Sequence, residues 1–118
     1  LINQWQKGNS PTLFTDEFRC PIHADATARA IWELVQAKRT GIYHLTGGER
    51  MSRYEIGQAI ARTQSGSECS ITPGSLQDYQ GPPRAADTSL NCDKIQKVLS
   101  FQIPSLVQSL AQRELQVA

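Results

Sequence analysis

Two arginines stand where their neighbours could put them to chemical use. Arg19 lies in FRCPI, between apolar residues and beside a proline-stiffened extended segment. Its planar guanidinium offers paired N–H donors that match the oxygens of a phosphate. The plainer reading is a strand-edge arginine whose aliphatic stem covers apolar surface while its head stays in water. Arg84 lies in PPRAAD, in a stretch from Pro73 to Asp87 that is rich in glycine and proline and has no helical or strand period. A loop of that length is long for a plain connection, and loops carry binding residues more often than regular elements do.

The other reactive side chains carry less. His23 and His44 have no second ligand at a metal-site spacing, and a structural role suits both. Cys20, Cys69 and Cys92 form no CxxC pair, and an odd number of widely spaced cysteines reads as free thiols in a reducing cytosol. Cys20 and Cys92 read as small hydrophobes, since no histidine accompanies them in a recognisable nucleophile signature. Gly47-Gly48 precedes a helix start and could receive an anion there. Its spacing fits neither GxGxxG nor the Walker pattern, so a tight turn is the better reading. GxSxG is missing as well.

These residues must be held by a set of short elements. Leu1, Ile2 and Trp5 make an apolar helical face that Gly8 ends. That helix has no N-cap and the chain has no initiator methionine, which suggests that residue 1 falls inside a helix of a longer protein. Pro11–Phe14 and Phe18–Ile22 read as extended, Pro21 disfavouring helix at Cys20. Ala24, Ala28, Ile31 and Val35, widened by Leu34, predict a helix closing at Gly41, and Trp32 reads as a core or interface residue on it. Asp25 suits that helix's first turn.

Ile42–Leu45 reads as a strand, and GIYHLTGGERMSRYE then turns into a helix. Ser52 and Glu55 have capping-box spacing, and Met51 and Ile56 suit a hydrophobic staple. Ile56, Ala59 and Ile60 are expected inward, with an end near Ser65 and a stop at Gly66. Cys69–Thr72 reads as a short strand and Thr88–Leu90 as extended. A short helix carries Ile95, Val98 and Leu99, and a last helix near Pro104 turns Leu106, Val107, Leu110 and Ala111 inward.

Strand–turn–helix units of this kind indicate an α/β protein. The 118 residues suffice for one domain and are too few for two. At 39% hydrophobic and 19% charged, the composition is that of an ordinary globular domain. Twelve basic against eleven acidic residues give a net charge of +1, which makes no electrostatic case for nucleic acid or an anionic membrane. No apolar run approaches bilayer length, and the first residues lack the pattern of a signal peptide.

In order and spacing, LFTDEFRCPIHADATARAIWEL, GIYHLTGGERMSRYEIGQAIA and PPRAADTSLNCDKI resemble the C-terminal part of extended short-chain dehydrogenases/reductases, nearest the dTDP-4-dehydrorhamnose reductase branch. The likeness spans nearly the whole chain. It implies an α/β fold of four to five helices with short strands: residues 1–118 as a single substrate-binding fragment whose N-terminal Rossmann half is absent. It implies a nucleoside-diphosphate sugar as ligand, with Arg19 and Arg84 near its phosphates. It also implies NADPH or NADH as cofactor of the full-length protein, held outside this chain, and a cytoplasmic setting.

The catalytic YxxxK pair of that family is missing, since none of Tyr43, Tyr54 and Tyr79 has a lysine four residues on, and so is the glycine-rich dinucleotide loop. The chain alone is therefore expected not to transfer hydride. Two alternatives share the resemblance: a non-catalytic subunit like the regulatory β subunit of methionine adenosyltransferase, and a sugar-nucleotide epimerase or dehydratase. A fragment of this kind would expose apolar surface where the Rossmann half packs, and self-association through Ile42–Leu45 is expected.

Overall fold

The computed structural model describes residues 1–64 and 68–117. Among these residues, five α-helices and four short strands follow in the order α1 (Ile2–Gln6), β1 (Thr12–Phe14), β2 (Phe18–Arg19), α2 (Ala24–Gln36), β3 (Met51–Ser52), α3 (Arg53–Ala61), β4 (Thr72–Gly74), α4 (Asp93–Gln96) and α5 (Leu106–Val117). β1 pairs with β4 in parallel, Thr12 opposite Thr72, and β2 pairs with β3 antiparallel, Phe18 opposite Ser52. The α/β expectation holds, in the form of two two-stranded ladders.

The strongest local signal in the sequence forms as read. The Ser52 hydroxyl accepts from the Glu55 N–H at 3.1 Å, and the Glu55 carboxylate accepts from the Ser52 N–H at 2.7 Å. Two of the four unpaired N–H groups at the start of α3 are thereby satisfied, a cap of about 1 kcal/mol. α3 runs to Ala61 and its first following residues form a turn; the expected stop at Gly66 lies outside the described residues. α5 has a similar device that the sequence reading missed. Ser105 Oγ accepts from the Gln108 N–H at 3.2 Å, while Gln108 Oε1 accepts from the Ser105 N–H at 2.9 Å.

Ala30, Ile95 and Ile103 form the buried centre, with Ile22, Leu34, Tyr43, Leu45, Val98 and Phe101 packed around them. Each buried aliphatic side chain contributes about 1.5–3 kcal/mol. A second contact group lies under α3, where Gly57 lets Leu13 and Ile71 approach the helix backbone. Nearby, the buried Trp5 donates its indole N–H to the Ser70 carbonyl at 2.8 Å.

On α2, Ile31, Trp32 and Val35 are 52%, 62% and 60% exposed, and Ala30 and Leu34 pack inward. Four expectations are corrected. α2 ends at Gln36 rather than Gly41, because the chain turns at Lys38, which takes a left-handed φ of 52°. Ile42–Leu45 is not a strand. Its side chains alternate outward and inward as a strand's would, but no ladder partner lies beside it among the described residues. The strand expected at Cys69–Thr72 forms at Thr72–Gly74, where pairing with β1 sets the register. In α5, Val107 and Ala111 are exposed, and Ser109 takes the buried place.

The glycine pair is a point of backbone crowding. A Cβ on Gly47 would stand 1.7 Å from the Pro21 carbonyl oxygen, and one on Gly48 would stand 2.8 Å from that of Ile103. The pair is thus wedged between the end of the β2 segment and the approach to α5, and Gly47 donates to the Cys20 carbonyl at 3.1 Å. Gly47→Ala is expected to destabilise the chain by at least ~2 kcal/mol, since backbone must move to admit the methyl group. Gly8→Ala, at a positive φ of 74° in open space, should cost only about 1 kcal/mol. Urea denaturation of both variants checks the order.

Carboxylates stitch the loops to this frame. The Asp87 pKa is held well below its ordinary 3.8 by the Arg50 guanidinium first and by Ser89 second. Glu55 is lowered by the Ser52 N–H and hydroxyl, Asp16 by the Ser75 hydroxyl and the Leu76 N–H, and Glu33 by Ser100. A depressed folded-state pKa gives stability that is full above the unfolded value and is lost as pH falls toward the folded one. The chain should hold its stability from neutral pH down to about pH 5 and lose it below about pH 4. Asp87→Asn should be less stable than the parent at pH 7, with the gap narrowing on acidification below 3.8. A gap unchanged with pH would contradict the assignment.

Candidate functional site

The segment Glu17–Phe18–Arg19 is extended, so residues 17 and 19 share one side. On that side Glu17 is fully buried, and a single oxygen of it, Oε1, accepts from three guanidinium N–H groups. Arg19 Nη2 donates at 2.6 Å, Arg84 Nε at 3.1 Å and Arg84 Nη2 at 2.9 Å. The structure therefore brings together the two arginines singled out in the sequence, 65 residues apart, on one carboxylate. Two cations and one anion leave the cluster with one net positive charge.

Backbone pairing delivers the loop to this place. Phe18 donates to the Ala86 carbonyl at 2.6 Å and accepts from the Thr88 N–H at 3.3 Å, so the loop strand-pairs with β2 on the edge opposite β3. Arg19 adds to the tie: its Nη1 donates to the Phe18 carbonyl at 2.6 Å and to the Ala85 carbonyl at 3.2 Å. A further clamp, which the sequence reading missed, is made by Arg50. Its guanidinium stacks 3.6 Å over the Phe18 ring and donates through Nε and Nη2 to Asp87 Oδ2, at 3.0 and 2.8 Å. Asp87 Oδ1 accepts from the Ser89 N–H at 2.9 Å.

The two arginines are not equivalent. Arg19, 27% exposed in its side chain, spends Nη1 on two carbonyls and Nη2 on Glu17. Arg84, 38% exposed, uses its Nε/Nη2 edge on Glu17, which directs its other edge away from that carboxylate. Aromatic rings flank it: its Cζ is 5.8 Å from the Phe14 centroid and 5.5 Å from that of Tyr79, and these two rings meet edge to face at 5.6 Å. Hydrogen bonding to Glu17 first, and to the Tyr79 hydroxyl second, pushes the Arg84 pKa further up, so the group stays a cation throughout the accessible pH range. The arrangement can hold an anion with oriented donors beside an aromatic wall. A cleft of about 400 Å³ is lined by Arg50 with Cys20, Gly48, Asn91 and Cys92, and neither Arg19 nor Arg84 lines it.

The remaining candidates have local roles. His23 caps α2, its Nδ1 accepting from the Asp25 N–H at 3.2 Å. His44 is exposed and makes no ion pair among the described residues. Cys92 packs against the core, and its sulfur accepts from the Thr46 N–H at 3.2 Å. Among the described residues, no group of three or more His, Cys, Asp or Glu side chains could hold a metal ion, and no helix is long and apolar enough to cross a membrane.

Comparison with known proteins agrees with this architecture. The structure of a hypothetical dTDP-4-dehydrorhamnose reductase from Sulfolobus tokodaii superposes with a TM-score of 0.75 at 27% identity, over 92% of this chain and 40% of that one. That of the Bacillus anthracis dTDP-4-dehydrorhamnose reductase in complex with NADP gives 0.82 at 16% identity, over 98% and 41%. Subunit beta of methionine adenosyltransferase 2 from Xenopus laevis is 29% identical over 68% of this chain and 25% of its own length. The chain thus spans about two fifths of these solved structures and a quarter of that relative. The family model described as the RmlD substrate binding domain matches residues 1–116, and the chain belongs to that family.

Proposed function

We propose that this chain is the nucleotide-sugar-binding portion of an NAD(P)H-dependent reductase resembling dTDP-4-dehydrorhamnose reductase, with Arg84 and Arg19 at the phosphates of the substrate. The observation that carries the reading is the meeting of both arginines on Glu17, which takes only the Nε/Nη2 edge of Arg84. A nucleoside diphosphate needs charge-assisted donors held in fixed directions, and a guanidinium edge supplies two. In this reading Arg84 gives the edge that Glu17 does not take, and Arg19 the adjacent positive charge. One net positive charge does not neutralise a diphosphate, so further donors would come from the other wall of the pocket.

The chain has neither a dinucleotide loop nor a YxxxK pair, so its residues do not fit the cofactor. In this reading an N-terminal Rossmann half of the full-length cytoplasmic protein holds NADPH or NADH and carries the reactive groups. The apolar outer face of α2, with Ile31, Trp32 and Val35 exposed, and the 78% exposed Ile42 are the surface that half would cover.

A second reading, a non-catalytic binding subunit of the same fold, is favoured by the 29% identity to methionine adenosyltransferase 2 subunit beta. An epimerase or dehydratase of the same group is the remaining alternative. A catalytic YxxxK in the rest of the protein separates the enzyme readings from the binding one.

Calorimetric titration of the full-length protein with dTDP tests the phosphate assignment. Arg84→Ala should weaken binding about tenfold or more, the usual loss when one partner of an oriented charge pair is truncated. Unchanged affinity would remove the assignment. In sedimentation velocity the 118-residue chain by itself should form dimers or larger species at high concentration, because the α2 face is uncovered. A clean monomer there would contradict the packing role given to that face.

A further inference from the structure

Glu17 is the one buried carboxylate of the described residues that the phosphate reading leaves without a task. It is also a costly group to keep. Its side chain is 1% exposed, three donors converge on Oε1, and Oε2 is buried with no hydrogen-bond partner among the described residues. A carboxylate oxygen removed from water without a partner opposes folding. A negative charge beside the arginines also opposes the binding of any anion. On both counts a neutral residue would serve stability or raw attraction better.

What Glu17 does supply is direction. An arginine on a loop has four free side-chain torsions and no intrinsic aim. Here Nε–H and one N–H of Nη2 are both turned onto Oε1, which fixes the plane of the Arg84 guanidinium and leaves the Nη1/Nη2 edge facing away from the carboxylate. The same oxygen holds Arg19 Nη2, whose Nη1 is pinned to the Phe18 and Ala85 carbonyls. Glu17 is in turn fixed by its own backbone, its carbonyl accepting from the Arg53 N–H at 2.8 Å at the start of α3. The aim of Arg84 is therefore referred to the capped helix through one buried side chain.

We infer that Glu17 is a positioning residue for anion binding: by taking the Nε/Nη2 edge of Arg84 it sets the second edge so that this edge takes a phosphate side-on. The inference rests on the phosphate reading of Arg84. It makes a prediction of opposite sign to simple electrostatics. If Glu17 were only a nearby negative charge, removing it would tighten dTDP binding. If it positions Arg84, removing it loosens binding despite the gain in positive charge.

The test is a double-mutant cycle on dTDP affinity in the full-length protein, with Arg84→Ala, Glu17→Ala and the double variant. Each single change should weaken dTDP binding about tenfold, and the double variant should be no worse than Arg84→Ala alone, since Glu17 acts through Arg84. Glu17→Gln, whose amide oxygen can still accept from both arginines, should recover affinity to within about threefold of the parent, although it removes the same charge as alanine. Unchanged or tighter binding in Glu17→Ala, or losses that multiply to about a hundredfold in the double variant, would overturn the inference while leaving the phosphate reading intact. Loss of effect in Arg84→Ala is the separate failure of that reading. Arg84→Lys gives a second arm that leaves Glu17 untouched. Lysine keeps the charge but has no second edge to aim, so about a tenfold loss is expected and parent-like affinity would overturn the inference even if Glu17→Ala does not fold.

Discussion

One buried carboxylate, shared by two arginines distant in sequence, organises this half-pocket. Glu17 cannot be lodged away from water without compensation, and the compensation it finds is Arg19 from its own strand and Arg84 from the proline-rich loop. The loop is thereby brought to β2, where backbone pairing at Phe18 and the Arg50–Asp87 clamp complete the attachment. Removing one partner from such a cluster leaves a buried charge less compensated, so these elements support one another's positions.

The rest of the frame explains why β2 is a sound place for a binding group. β2 is paired with β3, and β3 ends in Ser52, the cap of α3. The Arg53 N–H donates back to the Glu17 carbonyl. At the other end of the segment, Gly47 packs against Pro21 at a distance no side chain would allow. Short strands of two or three residues have little stability of their own. Here they are held by a helix cap on one side and a glycine contact on the other, and the irregular loop borrows that rigidity through its arginine.

Much of this was legible in the sequence where the signal is local. SRYE announced the cap of α3, and the stiffened PPRAAD and FRCPI segments picked out both arginines. What escaped was information carried by pairing partners. Ile42–Leu45 has the β-branched and aromatic residues that suit a strand, yet a strand also needs a neighbour, and none is present among the described residues. The α2 stripe of Ile31 and Val35 was legible as apolar, but not that it would lie exposed, because periodicity finds a face without saying what covers it. Glu17 was not singled out, lying between the two segments read as extended. Its spacing of two from Arg19 would have placed both on one side of an extended segment, but only the fold shows that side turned inward, with Arg84 arriving from 65 residues away. Arg50 and Asp87 were invisible for the same reason, since their contact joins two loops.

The central claim is that Arg84, aimed by Glu17, meets a phosphate of the ligand. A crystal structure of the full-length protein with dTDP bound tests it most directly. The account predicts a phosphate oxygen within hydrogen-bond distance of Arg84 Nη1 or Nη2, with Glu17 still holding the opposite edge. A diphosphate bound elsewhere, with Arg84 touching only Glu17, would contradict it.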